Sequence, residues 1–406
     1  FLLVCLYVFF FTKVVHYETK IDAKIKILEA KLVSFTIDGD KLSMELKQRE
    51  KIVATYYIRN KEEKEYLENH LKIGLHLRLV GEKSEVFSNT IPNTFDYKAY
   101  LYHQRVYFTF MVTKIEILDV PIDFFSSVKN SFLKRLQKVE NNPYIAAFVL
   151  GDKTLMNAEF YQRIVTNGVS HLFALSGMHL SLVYLVLSKA FSKCKRKKIW
   201  IYSFLLFYLF LTGCSVSFLR AIVFLFLMDC NKKWNLSLSS IKILFLTAFL
   251  LLFLEPFSIY NVGFWYTFVV TFSLLFCHNF LRNKGKFKQI VLVSLITFLF
   301  GLPITLYINY EVNLFSVVNN MLFVPFISTF VFPLALLTFL FPFLLPIFDW
   351  FTEILEIMNQ MSFQLAFPVI FGKIGLLEVF LCYCLLLVGF GYKQKKCFVF
   401  LFFLLF

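Results

Sequence analysis

Between residues 6 and 193 the sequence has no cysteine at all; its eight are Cys5, Cys194, Cys214, Cys230, Cys277, Cys382, Cys384 and Cys397. A disulfide within that long stretch is therefore excluded. No two cysteines have CxxC spacing, and the seven histidines form no HxHxDH-like cluster. Neither a metal site nor any other cofactor is expected. The GxxxxGK[ST] pattern is missing as well, so the chain has no recognisable P-loop motor. Acidic residues are scarce, 27 against 42 Lys and Arg. Residues 13–168 carry 24 basic and 20 acidic side chains, whereas the remainder carries 18 and only 7.

Apolar residues are abundant. Hydrophobic residues make up 58% of the chain, 54 of them Phe, which points to a polytopic α-helical membrane protein. The basic excess after residue 168 lies mostly in short loops, the usual sign of a cytoplasmic side and not of a polyanion site.

The segment from Asn167 to Ser188 organises the rest. It is apolar and long enough for a membrane span, which takes about 20 residues. Yet it contains His171, Ser176, His179 and Ser181. As one helix it would gather His171, Ser176 and His179 within an arc of roughly 140°. Lipid cannot satisfy those groups, so that face is expected to look into the protein or a wet cavity.

In chain order, residues 1–15 read as a first transmembrane helix. The chain starts at Phe1 and stops at Phe406 inside an apolar run, so trimmed ends are expected, with 397–406 as the start of a further span. A signal-peptide reading of the start lacks a small-residue cleavage site. Alternation of period two then sets in. Ile25 and Ile27, then Val33, Phe35 and Ile37, run up to an Asp38-Gly39 turn. Leu42, Met44 and Leu46 follow, then Ile52, Ala54, Tyr56 and Ile58. After a charged helix over 60–71 come Leu75, Leu77 and Leu79, and last Val106, Phe108, Phe110 and Val112. Such strands with one inserted helix predict a small extracytoplasmic β-barrel of the OB type over 20–119.

Residues 121–168 predict amphipathic helices at the membrane interface: Phe125, Val128, Phe132, Leu136 and Val139 oppose Lys129, Lys134, Arg135 and Lys138. Beyond them, 169–396 predict a transmembrane domain. Its spans fall near 199–212, 215–229, 238–254, 262–281, 289–308, 313–330, 332–348 and 374–391. Basic clusters lie at 193–198, 232–233, 282–288 and 393–396. Placing all of them in the cytoplasm leaves even numbers of crossings between them. Acidic turns at Glu255, Glu311 and Asp349 and the whole of 16–168 then lie outside.

Several spans carry polar groups. Ser215, Ser217 and Arg220 follow Gly213, and an Arg near the bilayer centre costs about 2.5–3.5 kcal/mol on insertion scales, so it needs a partner or water. Gly301-Leu302-Pro303, Asn309, then Asn319 and Asn320 with Pro325, place breakers and amides in successive spans, as in the cavity-lining helices of transporters. Taken singly, each is better read as hydrogen-bonding glue between helices, but their joint pattern across the spans points to a polar path. Ser176, Gly177 and His179 also invite a nucleophile–base reading, that of an intramembrane serine protease. Ala174 stands where a Gly-x-Ser-Gly turn has its first Gly, and no oxyanion donor is visible.

At this point a family resemblance becomes specific. Ser170-His-Leu-Phe-Ala-Leu-Ser-Gly-Met-His179 resembles the signature of the ComEC-type competence proteins. Leu150-Gly151-Asp152, Ser217-Phe-Leu-Arg-Ala221, Glu255-Pro256, Asn261-Val-Gly-Phe264, Pro303, Asn319 and Pro325 continue it in order. Ile91-Pro92-Asn93-Thr94-Phe95-Asp96-Tyr97, then Tyr100-Leu101, is similar to the end of that family's OB-like domain. The resemblance covers residues 20–390. It implies a channel that passes single-stranded DNA through the bacterial inner (cytoplasmic) membrane in natural transformation. A transporter or flippase for another polymer or lipid-linked substrate fits the membrane pattern alone. Many members carry a metallo-β-lactamase-type nuclease domain, whose histidine-rich motif is missing here, so no enzyme activity is expected.

OB-like barrels hold single strands through basic grooves and stacking aromatics. Tyr56, Tyr57, Tyr97, Tyr100, Tyr102 and Tyr107, with Lys98 and Arg105, are the candidates. Tyr97, Lys98 and Arg105 are preferred for DNA, with weak, salt-sensitive binding. The expected partners are membrane lipid, a separate DNA receptor, a nuclease and a cytoplasmic ATP-driven or strand-binding protein; a homo-oligomer is also compatible.

Overall fold

The computed structural model describes residues 2–391 apart from 16, 20, 23, 92, 93, 141, 214, 215 and 373. Ser215, the basic cluster at 393–396 and the expected span at 397–406 thus lie outside the described residues. The chain divides into two units, 2–138 and 139–406.

The first unit opens with an apolar helix, α1 (Leu2–Phe9), continued by a π-turn over Phe10–Val14. Five strands follow: β1 (Ile27–Asp38), β2 (Lys41–Lys47), β3 (Lys51–Tyr57), β4 (His76–Ser84) and β5 (Thr109–Leu118). They close into a barrel in the order β1-β2-β3-β5-β4. Only the β3–β5 pair is parallel. The alternation has its physical cause inside: Leu28, Leu32, Leu42, Leu46, Ile52, Leu77, Leu79 and Phe110 are fully buried. The expected small barrel is present.

One strand departs from its expected phase. Ile27 and Val33 are exposed, and Leu28, Ala30 and Leu32 point inward instead. The register shifts between Leu32 and Ser34, and only beyond that bulge do Phe35 and Ile37 turn to the core. One extra residue in a strand flips every later side chain to the other face.

Helix α2 (Lys61–His70) lies between β3 and β4. Asn60 caps it by accepting from the Glu63 N–H at 2.8 Å, while Glu63 accepts from Arg59 N–H and from Tyr56 OH. Burial and the Glu63 carboxylate push the Tyr56 phenol up to about 12. A helix not foreseen, α3 (Tyr97–His103), begins where Asp96 accepts from Ala99 N–H at 3.0 Å.

Helix α4 (Phe124–Leu136), expected as an interfacial helix, is stitched to the barrel by polar groups. Asn130 accepts from Ile73 N–H and donates to Ile73 O at 2.7 Å. Asp123, which accepts from both N–H and O–H of Ser126 at the start of α4, pairs with Lys31 of β1.

The second unit is helical. It begins with a short α5 (Pro143–Ile145), a π-turn (Ala146–Leu150) and α6 (Ala158–Thr166), followed by α7 (Gly177–Ala190), α8 (Lys197–Leu211) and α9 (Val216–Lys233). Next come α10 (Ser240–Leu254), α11 (Val262–Phe276), a short α12 (His278–Arg282) and α13 (Lys286–Asn309). The last are α14 (Ser316–Phe326), α15 (Phe332–Leu340), α16 (Leu345–Gln364) and α17 (Leu376–Gly391). Among the described residues two runs are both long and apolar enough to cross a membrane, Lys286–Asn309 and Ser316–Leu340; α7, α10, α11 and α17 are shorter apolar helices.

Two expectations change here. The stretch from Asn167 to Ser188 is not one helix. Gly168, at φ +72°, closes α6 with its N–H bonded to Val165 O, and Val169 N–H returns to Ile164 O. That is the left-handed glycine cap that ends a helix. A 3-10 turn (Ser170–Phe173) and an extended Ala174 intervene before α7 starts at Gly177.

The spans expected at 313–330 and 332–348 are instead one run, α14 and α15, joined by a π-turn over Ile327–Val331. Pro333 supplies no N–H, and the π-turn just before it absorbs the missing bond. Asp349 therefore sits not in a turn but inside α16, where it accepts from Asn142. The connectors after α13 and after α16 meet as an antiparallel pair, β6 (Glu311–Asn313) with β7 (Pro368–Ile370).

Candidate functional site

The polar residues of the helical unit fall into two groups. The first surrounds the start of α7. Ser176 is its N-cap, and the Ser176 N–H donates to His179 Nδ1 at 3.2 Å. His179 is 1% exposed, its ring against Phe332 at 4.3 Å between centroids and against Phe148 at 6.1 Å. Its Nε2 is buried with no partner among the described residues.

Ser176 Oγ lies 3.3 Å from the same Nδ1 that already accepts the backbone bond. The pair thus does the work of a helix cap; that geometry speaks against an activated serine nucleophile. His171 lies in the 3-10 turn, exposed, and close enough to His179 for the two imidazoles to interact electrostatically.

Arg220 comes to the same place from α9. A Cβ on Gly177 would meet Arg220 Nη2 at 3.0 Å, so the missing side chain at 177 lets the guanidinium approach. Nη1 donates to Thr267 O at 2.8 Å and to Thr271 Oγ1 at 2.6 Å, both on α11. Arg220 is 8% exposed, and its Nε has no partner among the described residues. Among the described residues no carboxylate pairs with it. The result is a buried cation held by neutral oxygens beside the positive end of α7. The structure thereby joins two sequence motifs, one around Gly177 and the other around Arg220.

The second group is an amide cluster. Asn167 Nδ2 donates to Asn359 O at 2.9 Å and to Asn359 Oδ1 at 2.7 Å. Asn319 Nδ2 donates to Asn167 O at 2.9 Å, and Asn313 Nδ2 to Thr166 O at 2.8 Å. The turn that ends α6 is thus tied to α14 and α16. Asn167, Asn319 and Asn359 are all fully buried, and the Oδ1 atoms of Asn167, Asn319 and Asn320 lack partners among the described residues. Asn359 was missed from sequence. Its signal was there: Asp349, Thr352, Glu356 and Asn359 recur at helical spacing along α16.

Near this cluster Tyr144, whose OH bonds Glu356, lines with Asn157 and Arg163 a cavity of about 150 Å³. That is room for a handful of waters and not for a polymer.

In the barrel unit the candidates Tyr97, Lys98 and Arg105 lie on α3 or in the turn after it, all exposed. Tyr97 stacks on Tyr100 at 6.2 Å. Tyr57 is exposed as well, but Tyr56 is a core residue bonded to Glu63 and offers no platform.

The family described as competence protein matches this chain over residues 148–396. ComE operon protein 3 of Bacillus subtilis (strain 168) is 31% identical over 351 residues, 81% of this chain and 45% of that protein. An uncharacterized protein, MG316, of Mycoplasma genitalium is 33% identical over 211 residues, 49% of this chain and 54% of the relative. An uncharacterized protein of Aquifex aeolicus is 27% identical over 240 residues, 57% and 55% of the two chains. The chain spans about half the length of the curated relatives it matches. No solved structure matches it significantly.

Proposed function

The chain belongs to the competence protein family, of the ComEC type, and from that premise we propose that it forms a multi-pass inner-membrane conduit for single-stranded DNA. The observation that carries this reading is Arg220: a buried guanidinium with only neutral partners, seated against Gly177, is a fixed positive charge that lacks an anion. A phosphate backbone supplies one. The surrounding helices are closely packed, so passage requires them to part. The amide cluster, with its unpartnered oxygens, can exchange bonds as they do.

Topology supports the membrane placement. Lys198 pairs with Asp229, bringing the basic loops before α8 and after α9 to one end of the helices. The β6–β7 pair joins the connectors after α13 and α16, which an even count of crossings puts on the same outer side. The barrel unit then lies outside, and a label introduced at Lys64 reacts only from that side.

Each nucleotide brings one phosphate charge, and against an inside-negative potential its entry costs about 2.3 kcal/mol per 100 mV. Static charges cannot supply that work over many nucleotides. On this reading the residues of this chain act as a passive conduit. The chain works with a DNA receptor, a nuclease and an ATP-driven or strand-capturing protein inside.

Arg220→Leu and His179→Leu in cells carrying the full gene test the reading. DNA still binds at the surface, the protein still inserts, and arrival of strands in the cytosol is lost. Normal arrival in both variants returns these residues to helix packing. A gene deletion that leaves uptake intact while lipid distribution changes favours a flippase.

A further inference from the structure

We propose that the connector between β4 and α3, with the outward aromatics of α3, is an interfacial foot that seats the barrel unit on the lipid bilayer. It rests on the membrane reading above. Phe87, Ile91 and Phe95 are 80%, 66% and 69% exposed, and Tyr97 and Tyr100 project beside them. From Val86 to Phe95 the sequence has no charged side chain. The connector is folded: Asn89 Nδ2 donates to Ile91 O at 3.0 Å and to Thr94 O at 2.8 Å, and Thr94 Oγ1 donates to Ile91 O at 2.9 Å. These bonds turn the polar groups on one another and leave the apolar side chains as its outer face. Phe95 and Tyr100, 5.3 Å apart, continue that face onto α3.

Its place in the unit identifies the occupant. Tyr17 N–H donates to Tyr102 OH at 3.2 Å, so α3 abuts the exit of the apolar helix Leu2–Val14. Burial, with the Lys13 charge nearby, holds the His103 imidazole below its usual value, a second sign that the two elements adjoin. Leu6, Phe9, Phe10 and Val14 are themselves exposed, so two apolar surfaces share one corner of the molecule. If that helix enters the membrane, the foot stands at the headgroup level, where aromatic side chains are favoured.

A base-stacking surface makes the opposite demand. It needs cations to hold the phosphates between the stacked bases. Among the described residues Lys98 stands on this face, with Arg105 past the end of α3 and Lys13 towards His103, and the connector itself supplies no cation.

The test uses the full chain in vesicles of phosphatidylethanolamine and phosphatidylglycerol. The photo-crosslinking analogue p-benzoylphenylalanine replaces, one at a time, Phe87, Phe95, Tyr57 and Leu295. Tyr57 is an exposed barrel residue away from the foot, and Leu295 is an exposed apolar residue of α13. After irradiation, mass spectrometry reads lipid adducts. Positions 87, 95 and 295 are expected to give yields several-fold above position 57. Adducts at 295 with none above background at 87 and 95 overturn the foot and leave the membrane reading standing. No lipid adduct at 295 overturns the membrane reading and the foot with it. If added single-stranded oligonucleotide is captured at 87 and 95 in place of lipid, the surface is a stacking platform and the proposal is wrong.

Discussion

The barrel and the helical unit both bury apolar side chains, but the helical unit buries many more polar ones as well. In residues 2–138 the core is apolar, and Ser126 is the only buried polar side chain among the described residues. Its charges lie outside in pairs such as Lys31–Asp123, Lys51–Glu45 and Arg78–Glu29. In residues 139–391 the buried set includes Asn167, His179, Arg220, Asn319 and Asn359, whereas Phe245, Phe253, Leu254 and Leu376 are more than half exposed. Water explains the first arrangement through the hydrophobic effect. The second makes sense where the surroundings are themselves apolar, because polar groups there must find partners inside. On the proposed membrane reading, a different solvent reverses how the helical unit sorts its surface: apolar side chains face out, and polar ones join the buried set.

The comparison is tested most strongly by paired truncations. Phe110→Ala, at a fully buried barrel position, should cost about 3–5 kcal/mol. Phe245→Ala, on the exposed face of α10, should change stability by less than about 0.5 kcal/mol. Hydrogen exchange of the barrel strands and of α10 in the intact protein reads both. A comparable loss at Phe245 would mean that its face is packed against protein and the sorting is not reversed.

Polar burial should behave in the converse way. Asn167→Leu strands the Asn359 side chain and carbonyl, and is expected to destabilise the helical unit by about 1–3 kcal/mol although it adds apolar surface. Exchange protection across α14 and α16 is the readout. No loss would show that the amides are dispensable to packing.

A smaller effect on stability is expected at Gly177→Ala. The new Cβ stands 3.0 Å from Arg220 Nη2, and the guanidinium yields only by loosening its bonds to Thr267 and Thr271. Stability should fall by about 1 kcal/mol or less, within the ordinary range for one added methyl group, while strand uptake drops clearly. Equal losses in both would make Gly177 a packing residue alone.

The smallest effect belongs to the barrel's surface. Hydrogen bonds from Lys31 and Ser126 hold the Asp123 carboxyl at about 2, below its ordinary 3.8. A depressed folded value means that its stabilisation is complete above about pH 4 and is lost as the pH falls through about 2. The side chains are 32% and 42% exposed, so screening reduces this to less than about 1 kcal/mol. Acid unfolding of the Asp123→Asn variant followed by circular dichroism should converge with that of the parent chain below pH 2. Identical curves throughout would leave the pair without energetic weight.

The barrel was legible because a strand's period of two leaves a direct trace in sequence: Leu42, Met44 and Leu46 or Ile52, Ala54 and Tyr56 need no partner to be recognised. Local chemistry also announced α2, since Asn60 and Glu63 satisfy its first N–H groups within a few residues. What periodicity could not locate was the bulge in β1, where pairing with β2 decides the phase. The break between α6 and α7 was written locally, in Asn167-Gly168 and Ser176 with His179, but apolar length outweighed those caps.

The amino-acid sequence by itself determined the barrel strands, most of the apolar helices and which residues are too polar for lipid, because propensity, capping and hydrophobic pattern act over a few residues. Only the tertiary structure decided that Arg220 of α9 rests on Gly177 of α7 and bonds to α11, and that Asn359 of α16 holds Asn167. Such contacts join positions that are far apart in the chain. They depend on how helices of similar apolar character choose their neighbours, and no local rule specifies that choice.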